Sequence, residues 1–283
     1  MQLYHSDSEP SVDRPVMLLA LSGWVDAASV ATDAADFIAD QGTVIGWFEP
    51  DELFDFRSSR PVLHFRDGDL TEVIWPKLAV VHARLGGCDF IVVHGTEPDY
   101  RWHRLSAEFA GLAHRFGVRK LLTLGAVPAM VPHTRPTVEV VATAPDPALL
   151  LEDDVILEED LIVPGAAVSI LRVAAVEAGI DTVGYWVRVP HYLNRPYHAG
   201  TLSLLDKVAR QSGALFDLVE LEEAAVGQRA DLDRIAENRT EIREYIKKLE
   251  EAQSDSTLGE FGDLPSAEEL AAEVERYLRE AGD

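Results

Sequence analysis

The sequence predicts an α/β fold in which a mixed, largely parallel sheet is flanked by helices and followed by a C-terminal helical extension. Three observations carry this prediction. Short apolar runs bounded by Gly, Pro or Asp recur through the first two thirds of the chain. Helical patterns with three-four apolar spacing stand between several of them. Near residue 220 the composition turns strongly acidic. Alternating strand and helix asks for parallel strands covered on both faces.

The first strand is expected at Val16–Leu21; it stops at Ser22-Gly23-Trp24-Val25-Asp26 and runs into an Ala-rich helix over Asp26–Ala39. Further strands are expected at Thr43–Phe48, Leu78–Arg84 and Phe90–His94, with Arg57–Asp69 as a short connection. No long helical pattern lies between residues 43 and 94, so this part of the sheet is expected to be antiparallel or mixed. Tyr100–Phe116 reads as a helix and Lys120–Leu124 as a strand that breaks at Gly125-Ala126-Val127-Pro128. A strand over Thr137–Thr143, a helix over Gly165–Ala178, a strand over Thr182–Val189 and a helix over Ala199–Gln211 complete the series. In the last helix Leu202, Leu205, Val208 and Ala209 share one face.

These elements place a core domain at residues 1–219 and an acidic extension at 220–283. The extension carries 8 basic and 19 acidic residues. Leu232, Ile235, Ile242, Ile246 and Leu249 give an amphipathic helix a narrow apolar seam, interrupted at Arg239. After the linker Ser254–Gly259 a second helix is expected from Ser266, where Ser266 and Glu269 have capping-box spacing and Leu270, Val274 and Leu278 form a stripe. Such helices pack on their own domain or on a neighbouring subunit, or serve as an acidic tail that recruits another protein.

Composition excludes several classes of function. A formal net charge of −24 repels phosphate backbones and anionic lipid surfaces, so neither nucleic acid nor membrane is an expected partner. No apolar run approaches the roughly 20 residues of a membrane span. The N-terminus lacks the basic-then-apolar layout of a secretory signal, and a cytoplasmic location is expected. The single Cys88 rules out an internal disulfide, and no base adjoins it in sequence. The nine histidines show no metal-ligand spacing, and no Gly-x-Gly-x-x-Gly, Walker or Gly-x-Ser-x-Gly motif occurs, so neither cofactor nor metal is expected.

The candidate site residues follow from the parallel sheet, because open α/β sheets place their ligand crevices at the carboxyl ends of the strands. Trp24, Asp26, Glu97, Arg135 and His191 all sit just beyond such ends. Asp26 can cap the helix that follows it, and a carboxylate there competes with any anion for the same amides. Gly23 permits a tight exit from the strand, and Trp24 packs or lines a cleft. Two readings of the rest are open. Either Asp26, Glu97, Arg135 and His191 line a functional cleft, or Arg135 pairs with Glu97 or Asp99 while the histidines bond loop carbonyls.

Leu21-Ser22-Gly23-Trp24-Val25-Asp26-Ala27, Gly95-Thr96-Glu97-Pro98, the Leu124-Gly125-Ala126 bend, His133-Thr134-Arg135-Pro136-Thr137 and Gly165 at a helix start resemble the proteasome assembly chaperone family over residues 15–215. The acidic C-terminus is most similar to the actinobacterial-type branch. The resemblance implies a phosphorylase/hydrolase-like α/β topology, homo-oligomers and proteasome-related protein partners. A non-enzymatic assembly-chaperone-like role is therefore expected. The alternative is a small-molecule-binding protein, or a hydrolase or ligase working in the strand-end cleft.

Overall fold

The computed structural model describes residues 3–135, 137–157, 162–194 and 196–254. Strand β1 (Tyr4–Ser6) precedes β2 (Val16–Ser22), helix α1 (Val30–Ala39), β3 (Thr43–Phe48) and the single turn α2 (Pro50–Leu53). The hairpin β4 (Val62–Arg66) and β5 (Asp69–Ile74) leads to β6 (Leu78–Leu85), β7 (Cys88–Thr96) and α3 (Trp102–Arg115). Then come β8 (Lys120–Ala129), β9 (Val140–Thr143), β10 (Val155–Ile156), α4 (Ala167–Glu177) and β11 (Thr182–Pro190). Helices α5 (His198–Ser212), α6 (Val219–Asn238) and α7 (Thr240–Ser254) follow.

Nine strands form one sheet in the order β1-β3-β6-β7-β2-β8-β11-β9-β10. Its centre, β7-β2-β8-β11, is parallel throughout. The wing β1-β3-β6 is antiparallel within itself and against β7, and β9 runs antiparallel to β11. The mixed, largely parallel sheet is therefore present as predicted. Period-two alternation divides the central strands between two cores. Val16, Leu18 and Ala20 of β2 join one core with α1 and α5, while Met17, Leu19 and Leu21 join the other with α3 and α4. Each of these six side chains is at most 2% exposed, which explains the unbroken apolar run.

Gly125 shows how tightly the sheet is covered. A Cβ there would lie 2.3 Å from the Trp186 ring of the neighbouring strand, so only glycine fits beneath that indole.

The structure departs from the sequence reading in four places. The strand expected to break at Gly125-Ala126-Val127-Pro128 runs on as β8 to Ala129, because β11 pairs with it as far as that residue. Arg57–Asp69 is more than a connection, because Val62–Arg66 pairs with Asp69–Ile74 around Asp67-Gly68, both at positive φ. Asp-Gly flanked by apolar residues is a strong hairpin signal, and it was legible. The helix after β2 starts late: Ala27–Ser29 is a 3₁₀ turn, with Ala28 and Ser29 left-handed, and α1 begins at Val30. The seam of the extension belongs to two helices, since Arg239 is extended between α6 and α7. Asn238 and Thr240 on either side of it are weak helix formers.

That seam closes the first core. Leu232, Ile235, Ile242, Ile246 and Leu249 are all at most 6% exposed and share the cluster beneath α1 and α5. The linker after Ser254 and the helix expected from Ser266 lie outside the described residues. Among the described residues no helix is long and apolar enough to cross a membrane. Replacing the fully buried Leu249 with alanine should cost about 2–4 kcal/mol, measured as a lower midpoint in urea unfolding followed by circular dichroism.

Candidate functional site

Because β7, β2, β8 and β11 are parallel neighbours, the loops after Thr96, Ser22, Ala129 and Pro190 leave the same edge of the sheet. Glu97, Trp24 with Asp26, Arg135 and His191 thus follow one another along that edge. Their side-chain contacts sort into two groups, one around Glu97 and Asp26, where the Asp26 backbone also bridges Ala126 of β8, and one around the loops after β8 and β11. Among the described residues no hydrogen bond or ion pair joins Asp26 or Glu97 to Arg135 or His191.

In the first group Glu97 is a clamp between two backbones. Its Oε2 accepts from the Trp24 amide at 3.2 Å, and its Oε1 accepts from the Ala167 amide, at the start of α4, at 2.7 Å. Gly23 turns the chain at φ +143°, and a Cβ there would stand 2.9 Å from Glu97 Oε2. Trp24 is 67% exposed, so its indole faces solvent and plugs no cleft. Asp26 caps α1 across the 3₁₀ turn. Its Oδ1 accepts from the amides of Ala31 (2.8 Å) and Thr32 (3.1 Å), and its Oδ2 accepts from Thr32 Oγ1 at 2.5 Å. Those amides are thereby occupied.

The cap gathers negative charge. Burial pushes the Asp26 carboxyl up, against the lowering effect of its Thr32 and Ala31 hydrogen bonds. Asp33, one turn along the helix, is pushed up to about 6, first by burial and then by the charges of Asp26 and Asp36. Asp36 has an outlet, because its Oδ1 accepts from His94 Nδ1 at 2.6 Å.

The second group is built around two histidines. The His133 amide donates to Tyr192 Oη at 2.8 Å, and the same hydroxyl lies 2.8 Å from His133 Nδ1. His133 Nε2 faces Asp233 Oδ1 of α6 at 3.3 Å. Burial is the main cause that holds the His133 pKa below its ordinary value, in spite of Asp233. Arg229 of α6 straps the loop by donating to the carbonyls of His133 (2.8 Å) and Thr134 (3.0 Å) while its Nε bonds Asp233. His191 donates from Nδ1 to the Ala129 carbonyl at 3.2 Å and accepts from Tyr245 Oη of α7 at 2.7 Å.

Arg135 pairs with Glu139 at 3.7 Å, and Glu139 also holds Arg188 at 3.3 Å. Pairing with Glu97 or Asp99 is therefore ruled out: Glu97 serves two amides, and Asp99 Oδ2 accepts from the Asp55 amide at 2.8 Å. Between this loop, α5 and α6 lies a mainly apolar groove of about 350 Å³, whose lining includes His133, Arg135 and Arg229 together with Val138, Leu202 and Val226. Sequence reasoning missed Arg229, Asp233 and Tyr245. Arg229 and Asp233 show only i,i+4 spacing, which does not disclose that they reach back to residue 133. Among the described residues no group of three or more His, Cys, Asp and Glu side chains has the arrangement of a metal site.

A family model described as the PAC2 family matches residues 20–236, a span that takes in all four edge loops and nearly all of α6. The chain belongs to the PAC2 family. Among solved structures it is similar to a protein of unknown function from Corynebacterium glutamicum, with 32% identity over 92% of this chain and 99% of that one, at a TM-score of 0.84. A PAC2 family protein from Streptomyces avermitilis shares 32% identity over 82% of this chain and 99% of that one, at a TM-score of 0.72. A proteasome-assembly chaperone homologue from Mycobacterium tuberculosis shares 28% identity over 82% and 99%, at a TM-score of 0.74. None of the curated proteins matches. The resemblance read from the edge loops is borne out, and the actinobacterial relatives agree with the branch it pointed to.

The raised pKa of Asp33 gives the site a pH signature. A carboxyl whose folded pKa exceeds its unfolded value lends stability below the unfolded pKa, near 3.8, and loses it as pH rises through about 6. Asp33→Asn, which lacks that loss, should gain on the parent by about 1 kcal/mol at pH 7.5 after discounting for the half-exposed carboxyl. The two should converge as pH falls towards 4. Thermal melts of both proteins across this range check it.

Proposed function

We propose that this protein is a non-enzymatic, assembly-chaperone-like protein of the cytoplasm, which self-associates and engages proteasome-related protein partners without a cofactor. Membership of the PAC2 family and similarity to a proteasome-assembly chaperone homologue support the class of role. In this reading the strand-end residues Trp24, Asp26, Glu97, Arg135 and His191 shape an interaction edge. The polar groups there are engaged in backbone and loop contacts, which suits positioning better than proton transfer. The acidic extension from residue 220 adds charge for partners to read.

The observation that carries self-association is the hairpin β4–β5. Every one of its strand residues is exposed. Its cross-strand pairs sort cleanly: Leu63↔Val73 and Phe65↔Leu70 share one face, while His64↔Glu72 and Arg66↔Asp69 share the other with Val62↔Ile74. The first face is wholly apolar, and its four side chains are 36–64% exposed. An isolated two-stranded ribbon is marginal in water, and such a face calls for cover.

The occupant we assign is the same face of a second copy, in an isologous contact. Charge argues for it. Two copies at −24 repel over most of their surfaces, but residues 60–77 balance Arg60, Arg66 and Lys77 against Asp67, Asp69 and Glu72. The arm is a neutral, apolar place for like chains to meet.

Leu63→Asp/Phe65→Asp should convert the oligomer to monomer in sedimentation velocity, with the circular dichroism melt of the body unchanged; an unaltered oligomer would remove the arm from the interface. For the partner, purified proteasome core particle should be retained by the immobilised full chain. A chain ending at Ser254, which keeps the buried seam, tests the contribution of the acidic C-terminal stretch. No retention by the full chain would end the proteasome assignment.

A further inference from the structure

At the opposite edge of the sheet, by the amino ends of β2, β7 and β8, lies a predominantly polar cleft of about 350 Å³. Arg14, Arg84 and Arg119 line it together with Asp13, Asp89 and Cys88. The register explains the convergence. Val16 pairs with both Phe90 and Lys120, so the residues just before the three strands stand side by side. Arg84 arrives from β6 as the cross-strand partner of Asp89.

Three guanidiniums in one cleft repel each other unless something negative joins them. Among the described residues none of the three forms an ion pair. Asp89 is turned to His82, whose Nε2 lies 2.9 Å from its Oδ1. Arg119 donates to the Ser212 carbonyl at 2.8 Å, a neutral acceptor that fixes the side chain, and Asp13 in the same lining forms no ion pair with any of the three among the described residues. Arg14 reaches the cleft from a left-handed backbone at φ 45°, which is costly for a residue with a Cβ. The neighbouring Lys120 senses the field: its pKa is lowered, first by burial and next by the charge of Arg119. On a chain with 49 acidic and 25 basic residues, such a concentration of unpaired arginine calls for explanation.

We propose that the cleft formed by Arg14, Arg84 and Arg119 binds a compact phosphate-bearing small molecule. Arginine forks pair bidentately with tetrahedral oxyanions. Three of them offer more donors than the two oxygens of a single carboxylate can accept, whereas a phosphate presents three or four oxygens. The volume leaves room beyond the phosphate for a group the size of a sugar. Because the global charge repels anions, recognition rests on these short-range contacts and weakens with salt. The site is independent of the strand-end edge and of the β4–β5 arm.

The sole cysteine gives a direct readout, since Cys88 is half-buried and lines the same cleft. Alkylation of the native full-length protein by neutral iodoacetamide should slow about threefold at a ligand concentration of twice the dissociation constant. Inorganic phosphate and glucose 6-phosphate are the probes, against potassium chloride at matched ionic strength. Titration calorimetry with the same probes provides a second measure that does not involve the thiol. Arg14→Ala/Arg84→Ala, which removes no side-chain ion pair or hydrogen bond among the described residues, should abolish both protection and heat while the melting temperature stays that of the parent. Binding of both probes, or of glucose 6-phosphate alone, supports the phosphorylated ligand; binding of inorganic phosphate alone narrows the site to the free anion. Protection no greater than that given by chloride together with no heat of binding, or equal binding by the double variant, would overturn the site.

Discussion

The rest of this molecule depends on four parallel strands that are buried on both faces. A strand in that position cannot spend alternate residues on solvent, so β2 delivers Val16, Leu18 and Ala20 to one core and Met17, Leu19 and Leu21 to the other. The same constraint fixes where variation can occur. Chain direction is shared, so every exit from β7, β2, β8 and β11 falls on one edge and every entry on the other. The loops gather at those two rims, and the faces are covered by helices. The edge loops and the arginine cleft are two consequences of one parallel stack.

Tying down the carboxyl edge requires the C-terminal helices. Arg229 and Asp233 of α6 and Tyr245 of α7 bond the loops that follow β8 and β11, while Ile235, Ile246 and Leu249 close the core below them. Interior and rim are therefore anchored by the same two helices, with the apolar side of each turned inwards. Local unfolding of α7 would expose Leu249 and release His191 together, which couples the order of this edge to the integrity of the core.

How much of this could be read from sequence follows from the range of the interactions. The four parallel strands were legible because their burial is continuous and local in the chain, and the edge loops because Gly, Pro and Asp punctuate them. Asp26 could be recognised as a cap, since helix and carboxylate are neighbours, although its reach across a 3₁₀ turn could not. The partner of Glu97 was hidden: the Ala167 amide is 70 residues away, and no side-chain pattern advertises a backbone donor. Arg135 went astray for the opposite reason. Its partner Glu139 is four residues along, while reasoning about converging strand ends favoured distant carboxylates. The hairpin β4–β5 carried a readable turn in Asp67-Gly68, but its strands lack the buried-face signal that marks the others, being exposed throughout.

That exposure is informative when set against charge. A surface this acidic keeps copies of the chain apart at long range, so contact between them must concentrate where charge is balanced and apolar area is large. The β4–β5 arm has both properties; α6, with six acidic residues against two basic ones, is not balanced in charge. Acidic helices instead favour a basic partner surface, and their attraction to it falls as salt rises. The two kinds of contact differ in physical character, one apolar and salt-tolerant, the other electrostatic and salt-sensitive. Raising ionic strength would weaken capture of a basic partner while relieving the repulsion between copies, so the two associations should respond to salt with opposite sign. On the proposed reading, self-association and partner capture are separable, provided that the arm and the acidic helices occupy separate parts of the chain. Their positions, residues 62–74 and 219–254, meet that requirement.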